Sequence, residues 1–193
     1  MKKKDIVSKQ KDLVRSEKIT IDKTVGTAST AAGALTQNNF YGLRVEDKEI
    51  SLNVPDVINV VGIFESLDTN LPSFDKLTFI SGLNLDTASV LGEKIIGAES
   101  GAIAQLTERS SATEVEIVYL TQTKFIPGES VTFEESNITT NLQAITLGIH
   151  LDISDRYTLD KGHKEQYLDY SKIVRVAGLP KPCLLYTSDA ADD

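Results

Sequence analysis

Glutamate and serine, residue types that serve as metal ligands, general bases and nucleophiles, recur in this chain in two copies of one pattern. The stretch VLGEKIIGAESGAIAQL at residues 90–106 is matched by IPGESVTFEESNITTNL at residues 126–142, at an offset of 36 residues without a gap. Each copy contains a Gly-Glu pair followed by a Glu-Ser pair: Gly92, Glu93, Glu99 and Ser100 in the first, and Gly128, Glu129, Glu135 and Ser136 in the second. Such recurrence indicates a repeated supersecondary unit.

Two interpretations of these acidic and hydroxyl side chains stay open. Carboxylates beside serines are compatible with catalysis or metal binding, whereas Gly-Glu and Glu-Ser pairs between alternating stretches are typical of turns. Glycine allows a positive φ, and Pro127 presets the φ of a turn next to Gly128. The turn interpretation is favoured, so we expect the two Glu-Ser pairs to occupy equivalent reversals.

A second concentration of chemically versatile side chains lies in LDISDRYTLDKGHKEQYLDYSKIVRV, residues 151–176. Its aspartates lack the D-x-D-x-D-G order of a calcium loop, and His163 has no second histidine at metal-ligand spacing. Tyr167, Tyr170 and Ile173 recur every three residues, which fits a short helix or an irregular arm packed on a neighbour. We therefore predict no catalytic, metal-binding or cofactor-binding residue, and no cofactor.

Strands must position these residues, because the chain adopts a period of two from residue 40 onward. EISLNV at residues 49–54, VINVVGIFES at 57–66 and KLTFIS at 76–81 predict three strands, the second of them buried. In the repeats, a short strand is expected after each Gly-Glu turn, at residues 94–96 and 130–133.

Each repeat then reverses at its Glu-Ser pair and enters longer alternating stretches. AIAQL at 102–106 leads into TEVEIVYL at 113–120, and ITTNL at 138–142 leads into AITLGIHL at 144–151. Each repeat is thus predicted to form about three short strands with turns every eight to twelve residues or so. We predict an all-β fold in which two tandem repeat units of short antiparallel strands form small barrel or sandwich modules, with a flexible N-terminal segment.

Apolar burial explains why the unit is doubled. A three-stranded meander cannot cover its own apolar face, so a second copy packed against the first, or a shared barrel, buries both faces. At roughly 25 cal/mol per Å² of apolar area, this burial offsets the entropy of ordering many turns.

Composition and charge exclude several classes of partner. The chain has 193 residues, 40% of them hydrophobic, and a formal net charge of −8. Residues 1–23 contain eight Lys/Arg against four Asp/Glu, which leaves −12 for the remainder. An acidic body argues against nucleic-acid binding, since phosphate contacts dominate that affinity. No apolar run reaches the roughly 18 residues of a membrane span, and no apolar stretch follows the lysine-rich start as in a secretory signal.

The chain divides into four predicted parts: 1–39, a charged and Gly/Ala/Ser/Thr-rich segment or linker; 40–150, a β domain containing both repeats; 151–182, a truncated C-terminal arm; and 183–193, which resembles a translated sequencing adapter. Within the first part, VGTASTAAGALTQNN lacks the Gly-Lys-Ser/Thr ending of a phosphate-binding loop, so a linker is favoured. The single cysteine, Cys183, lies in the adapter-like stretch and predicts no disulfide. We expect the natural chain to continue past Pro182.

A family resemblance is carried by LRVEDKEISLNVPDV, the doubled GE and ES unit, and YTLDKGHKEQYLDYSKIV. These stretches resemble large virion structural proteins, often described as tail-fibre-like, of T-even-like tailed phages of marine bacteria, over about residues 40–176. One family pattern combines an aspartate, a glycine, a basic and an acidic residue and two tyrosines, matched here by Asp160, Gly162, Lys164, Glu165, Tyr167 and Tyr170. His163 departs from the glutamine usual in that pattern.

The resemblance implies a non-enzymatic subunit of the virion, in the tail or its fibres, that binds other virion subunits and assembles as a homo-oligomer, a trimer by expectation. Open strand edges would then be covered by partner subunits. Two rivals stay open. A carbohydrate-binding adhesin that recognises host surface glycans would need an aromatic platform made of tyrosines, namely Tyr119, Tyr157, Tyr167 and Tyr170. A polysaccharide-cleaving enzyme would need two carboxylates across a cleft.

Overall fold

The computed structural model describes residues 16–21, 45, 47–68, 70–80, 82, 84–162 and 170–182. The predicted all-β fold is confirmed, with one short helix, α1 (Leu85–Ala88), and one 3-10 turn (Ser154–Arg156) in these ranges. The strands are β1 (Glu49–Ser51), β2 (Phe64–Glu65), β3 (Asp75–Phe79), β4 (Lys94–Gly97), β5 (Ile103–Ser111), β6 (Glu114–Tyr119), β7 (Ser130–Phe133), β8 (Thr139–Thr146), β9 (Leu151–Asp152), β10 (Tyr157–Asp160) and β11 (Lys172–Arg175). The predicted linker over residues 25–39 lies outside the described residues.

Six strands close into one antiparallel barrel in the order β3-β6-β5-β4-β7-β8. The alternation that predicted strands also fills the barrel: Leu77 and Phe79 of β3 are buried, whereas Lys76 and Thr78, which alternate with them, are partly exposed. The barrel core is lined by Leu77, Phe79, Leu85, Ile95, Ala102, Ala104, Leu106, Val115, Ile117, Phe125, Val131, Phe133 and Leu142. Burial of each large side chain contributes roughly 1.5–3 kcal/mol, and closure leaves no open strand edge in the barrel.

The repeat appears in the barrel as a pseudo-two-fold axis. Ile96 of β4 faces Thr132 of β7, and these are equivalent positions of the two repeats. The flanking pairs, Ile95 with Phe133 and Gly97 with Val131, exchange with each other when the offset of 36 residues is applied. Both repeats therefore contribute to a single shared barrel, one of the two arrangements that the sequence predicted.

In the second repeat, the place of the third strand is taken by β3, which precedes both repeats in the sequence. β5 pairs with β6 through Leu106 and Ile117, and the equivalent strand β8 pairs with β3 through Leu142 and Phe79. The prediction of a separate further strand over residues 144–151 was wrong, because residues 144–146 continue β8 and Leu151 begins β9. β3 occupies the place of a third strand. Leu147 and Ile149 are 73% and 66% exposed, and residues 147–150 form no strand.

A second layer is built from segments on both sides of the barrel sequence. β1, β11 and β10 form an antiparallel sheet in that order, and β2 pairs with β9. The buried members of its core are Ile50, Leu52, Ile153, Tyr157 and Ile173. Residues 151–182, which the sequence predicted to be a C-terminal arm, supply three of these five strands: β9, β10 and β11. In the sequence, the barrel is therefore an insertion between two parts of the second layer.

The predicted strand over residues 57–66 was wrong except at β2. Asp56 has a positive φ of 58°, and hydroxyl oxygens replace strand partners in the following loop. Ser171 Oγ accepts from the Val57 amide and Ser154 Oγ from the Ile63 amide, at 3.1 and 2.8 Å. No helix in the described ranges is long and apolar enough to cross a membrane.

Candidate functional site

The Gly-Glu pairs of the two repeats lie at equivalent places in the barrel. Gly92 and Gly128 occupy turns with φ of 82° and 94°, a region that favours glycine. Their amides donate to the carbonyl oxygens of Leu106 and Leu142, at 2.9 and 2.7 Å. Each following glutamate is thereby turned inward at the start of its strand, and Glu93 and Glu129 are each only 1% exposed.

The buried carboxylate of Glu129 binds the Glu-Ser turn of the other repeat. Its Oε2 accepts hydrogen bonds from the amides of Glu99 and Ser100, at 3.1 and 3.0 Å. Its Oε1 accepts from Ser100 Oγ at 2.9 Å and from the Ile126 amide at 2.7 Å. One carboxylate therefore fixes two turns, its own and that of the opposite repeat.

Glu93 does the same in the reverse direction. Its Oε2 accepts from the amides of Glu135 and Ser136, at 3.1 and 2.9 Å, and its Oε1 accepts from Ser136 Oγ at 3.0 Å. The Val90 amide donates to Oε1 at 2.6 Å, as Ile126 does to Glu129. We call this reciprocal set, Glu93 with the turn at Glu135 and Ser136 and Glu129 with the turn at Glu99 and Ser100, the carboxylate exchange.

The geometry of the carboxylate exchange favours a structural role over a catalytic one. Burial raises the pKa of Glu129, but the hydrogen bonds from Ser100, Ile126 and Glu99 lower it more, so the net pKa lies below its ordinary value of 4.5. A carboxylate stabilised in this way is a weak base, and the Ser100 hydroxyl donates to it within a buried site. The side chains of Glu99 and Glu135 are exposed at the turns.

The depressed pKa of Glu129 makes barrel stability pH-dependent. Because its folded-state pKa is below the unfolded value of 4.5, its contribution is present above that pH and is lost as the pH falls through the folded-state pKa. We expect the free energy of unfolding of the wild type to fall more than that of Glu129→Gln between about pH 7 and about pH 3. Urea titrations of both proteins at both pH values measure this difference, and equal losses would contradict it.

The structure places the other predicted interaction residues only in part. Asp160 ends β10, and its Oδ1 accepts from the Gly162 amide at 3.1 Å, so these two residues form one turn. Tyr170 is exposed. Lys164, Glu165 and Tyr167 lie outside the described residues. The three-residue spacing of Tyr167, Tyr170 and Ile173 was compatible with a short helix or an irregular arm. A helix does not extend to Ile173, because this residue lies in β11.

The ionic contacts of Lys18 were not predicted from the sequence. Lys18 Nζ lies 2.8 Å from Glu116 and 3.4 Å from Glu108, and it stands over the ring of Phe74 at 4.7 Å from the centroid. Nothing in the spacing of residues 1–18 indicated this, because the partners are about a hundred residues away. Lys18 of the basic N-terminal segment therefore binds the surface of the barrel.

Aromatic side chains join the barrel to the second layer. Phe64 meets Phe74 and His150 edge to face, each with ring centroids 5.0 Å apart. His150 Nδ1 donates to the Ser73 carbonyl oxygen at 2.8 Å.

Within the described ranges, no three His, Cys, Asp or Glu side chains are grouped as a metal site would require. Comparison with known proteins adds no relative to this description: no family model, no curated protein and no solved structure matches the chain.

Proposed function

We propose that this chain is a non-enzymatic structural subunit of a tailed-phage virion, part of the tail or its fibres, that acts by subunit-subunit assembly. The family resemblance of residues 40–176 suggests the virion. The single observation that carries assembly is a group of exposed apolar side chains beside the β2–β9 ribbon. We call this group the apolar rim: Leu67, Leu71, Leu147, Ile149 and Leu151.

One hydrogen bond and one strand pairing place the residues of the apolar rim on neighbouring segments. The Ile149 amide donates to Ser73 Oγ at 2.8 Å, so the loop after β8 lies along the segment that follows Leu71. Leu151 pairs with Glu65 in the β2–β9 ribbon, and Glu65 is only two residues before Leu67 in the sequence. Leu151 and Leu67 therefore belong to the same part of the ribbon. Single exposed apolar residues are ordinary on a protein surface, whereas a contiguous group is typical of an interaction site.

Strand edges support the same proposal. The barrel is closed, but within the part of the chain that the structure describes, the β2–β9 ribbon and the sheet β1-β11-β10 both end in outer strands. Such edges present amide and carbonyl groups to a second chain. Symmetric assembly would cover both these edges and the apolar rim.

The alternative, a carbohydrate-binding adhesin module, has less support. Of the four tyrosines considered for an aromatic platform, Tyr157 is buried in the second core, and the ring of Tyr119 is covered by Lys124 Nζ at 3.7 Å from the centroid. Tyr170 is exposed, and Tyr167 lies outside the described residues. Sugar stacking needs an accessible ring face, which the first two do not offer.

Sedimentation velocity over a range of concentrations tests the assembly. We expect the wild type to form a discrete oligomer, a trimer in our proposal, and Ile149→Asp to shift it to monomer, because a carboxylate in an apolar interface is left unpaired. Ile80→Asp is the matched control. Ile80 is also exposed, but it follows the C-terminal end of β3, whereas Ile149 contacts Ser73 just before the N-terminal end. A wild type that stays monomeric at every concentration, or equal dissociation of both variants, would overturn the proposal.

A further inference from the structure

We infer that the surface holding residues 16–21 is a docking site for the same segment of a second copy, so that subunits exchange this arm. The inference rests on the proposed function, since it names how the assembled copies bind one another. The arm is defined here as residues 16–21, Ser-Glu-Lys-Ile-Thr-Ile.

The barrel side of the docking site selects a lysine. Glu108 of β5 and Glu116 of β6 are direct register partners, so two like charges face each other across the strands. Such a pair is destabilising unless a cation lies between the carboxylates. Lys18 supplies that cation at 3.4 and 2.8 Å, and the Glu116 side chain is only 9% exposed, which strengthens the pairing.

The second layer selects the two isoleucines. Ile19 and Ile21 pack against the second core, and Thr20 between them forms an isolated β-bridge. Alternating side chains on one extended segment thus bury against this layer. Together, the two halves of the site recognise an extended Lys-Ile-x-Ile segment and bridge the barrel to the second layer.

Nothing in these contacts depends on which copy donates the arm. Residues 22–44 separate the arm from the rest of the described chain, and the sequence predicts a linker over residues 25–39. The 23 residues of this connection can span at most about 80 Å. Chain length therefore permits the arm to bind an adjacent subunit as well as its own.

The apolar rim places that adjacent subunit beside the docking site. Lys18 stands over Phe74, and Phe74 packs on His150 with ring centroids 5.2 Å apart. His150 directly follows Ile149 of the apolar rim. A copy seated on the rim therefore has its own docking site within the reach of its neighbour's arm, and exchange adds contacts that lock the assembly.

Zero-length cross-linking of isotopically mixed subunits tests the exchange on the full chain. Equal amounts of light and uniformly heavy protein are unfolded together, refolded, and treated with a carbodiimide, which joins a lysine amine to a carboxylate already in contact. Mass spectrometry then identifies the peptide pair that contains Lys18 and Glu116. We expect about half of these pairs to carry one light and one heavy peptide in the wild type, as random exchange between copies requires.

Two variants make the result specific. Lys18→Arg retains the charge but removes the reactive amine, so the pair must vanish. Ile149→Asp, expected to be monomeric, must give only same-label pairs. Same-label pairs alone in an oligomeric wild type would overturn the exchange and leave the proposed assembly standing. Same-label pairs in a monomeric wild type would overturn both, and absence of the pair would overturn the docking site itself.

Discussion

Glu129→Gln is expected to lower the free energy of unfolding by about 3 kcal/mol, because an amide group cannot accept all the hydrogen bonds that the carboxylate accepts. Three backbone amides and the Ser100 hydroxyl donate to Glu129 at 2.7 to 3.1 Å. The glutamine nitrogen would face at least one of these donors, which then lies buried without a partner. At roughly 2–4 °C per kcal/mol for a chain of this size, Tm falls by about 6–12 °C.

Glu99→Gln is the matched control for this prediction. It makes the same chemical change in the turn that Glu129 holds, but at an exposed side chain, so we expect a change within about 0.5 kcal/mol. Urea unfolding followed by circular dichroism measures both variants near neutral pH. A loss for Glu129→Gln no greater than that for Glu99→Gln would show that the carboxylate exchange does not stabilise the barrel.

The strands of the repeats could be predicted because their determinants are local. The Gly-Glu turns and the alternation after them predicted strands at residues 94–96 and 130–133, and the structure has β4 and β7 there. The constant offset also predicted that the two Glu-Ser pairs are equivalent, and their backbone amides are bound in the same way.

The carboxylate exchange itself could not be predicted in this way. Which turn each buried glutamate binds is decided by the antiparallel pairing of β4 with β7, a contact between repeats that no local pattern encodes. A signal was nevertheless present: glutamate recurs after glycine at positions 93 and 129, although a glutamate needs a partner when it is buried.

Barrel closure explains the main error in the second repeat. Local alternation in AITLGIHL favours a strand, but β8 already pairs with β3 up to Thr146, and β3 in turn pairs with β6. The barrel has no further place for residues 147–150. Closure depends on a strand that precedes both repeats in the sequence, so only long-range information reveals it.

The loop that leaves the barrel here depends on a backbone contact that only glycine permits. A Cβ atom on Gly148 would lie 2.5 Å from the carbonyl carbon and 2.7 Å from the Cα of Phe74, both of them backbone atoms. The Gly148 amide donates to Asp75 Oδ1 at 2.8 Å, and the next two residues bind Ser73. No side-chain rotation relieves this clash, so the loop and β3 must separate.

Gly148→Ala is therefore expected to lower the free energy of unfolding by about 3 kcal/mol and to expose the loop from Gly148 to His150. Gly101→Ala is the control, because its φ of 66° strains an alanine while no atom lies within 4 Å of the added carbon, so a loss of about 1 kcal/mol is expected. Urea unfolding and hydrogen exchange at the Gly148 and Ile149 amides measure both effects. Two results together would contradict this prediction: equal losses of unfolding free energy in the two variants, and unchanged protection of the Ile149 amide from hydrogen exchange in Gly148→Ala. They would mean that close packing against Phe74 does not hold the loop. Since Ile149 belongs to the apolar rim, the same loosening should weaken assembly even where the barrel itself remains folded.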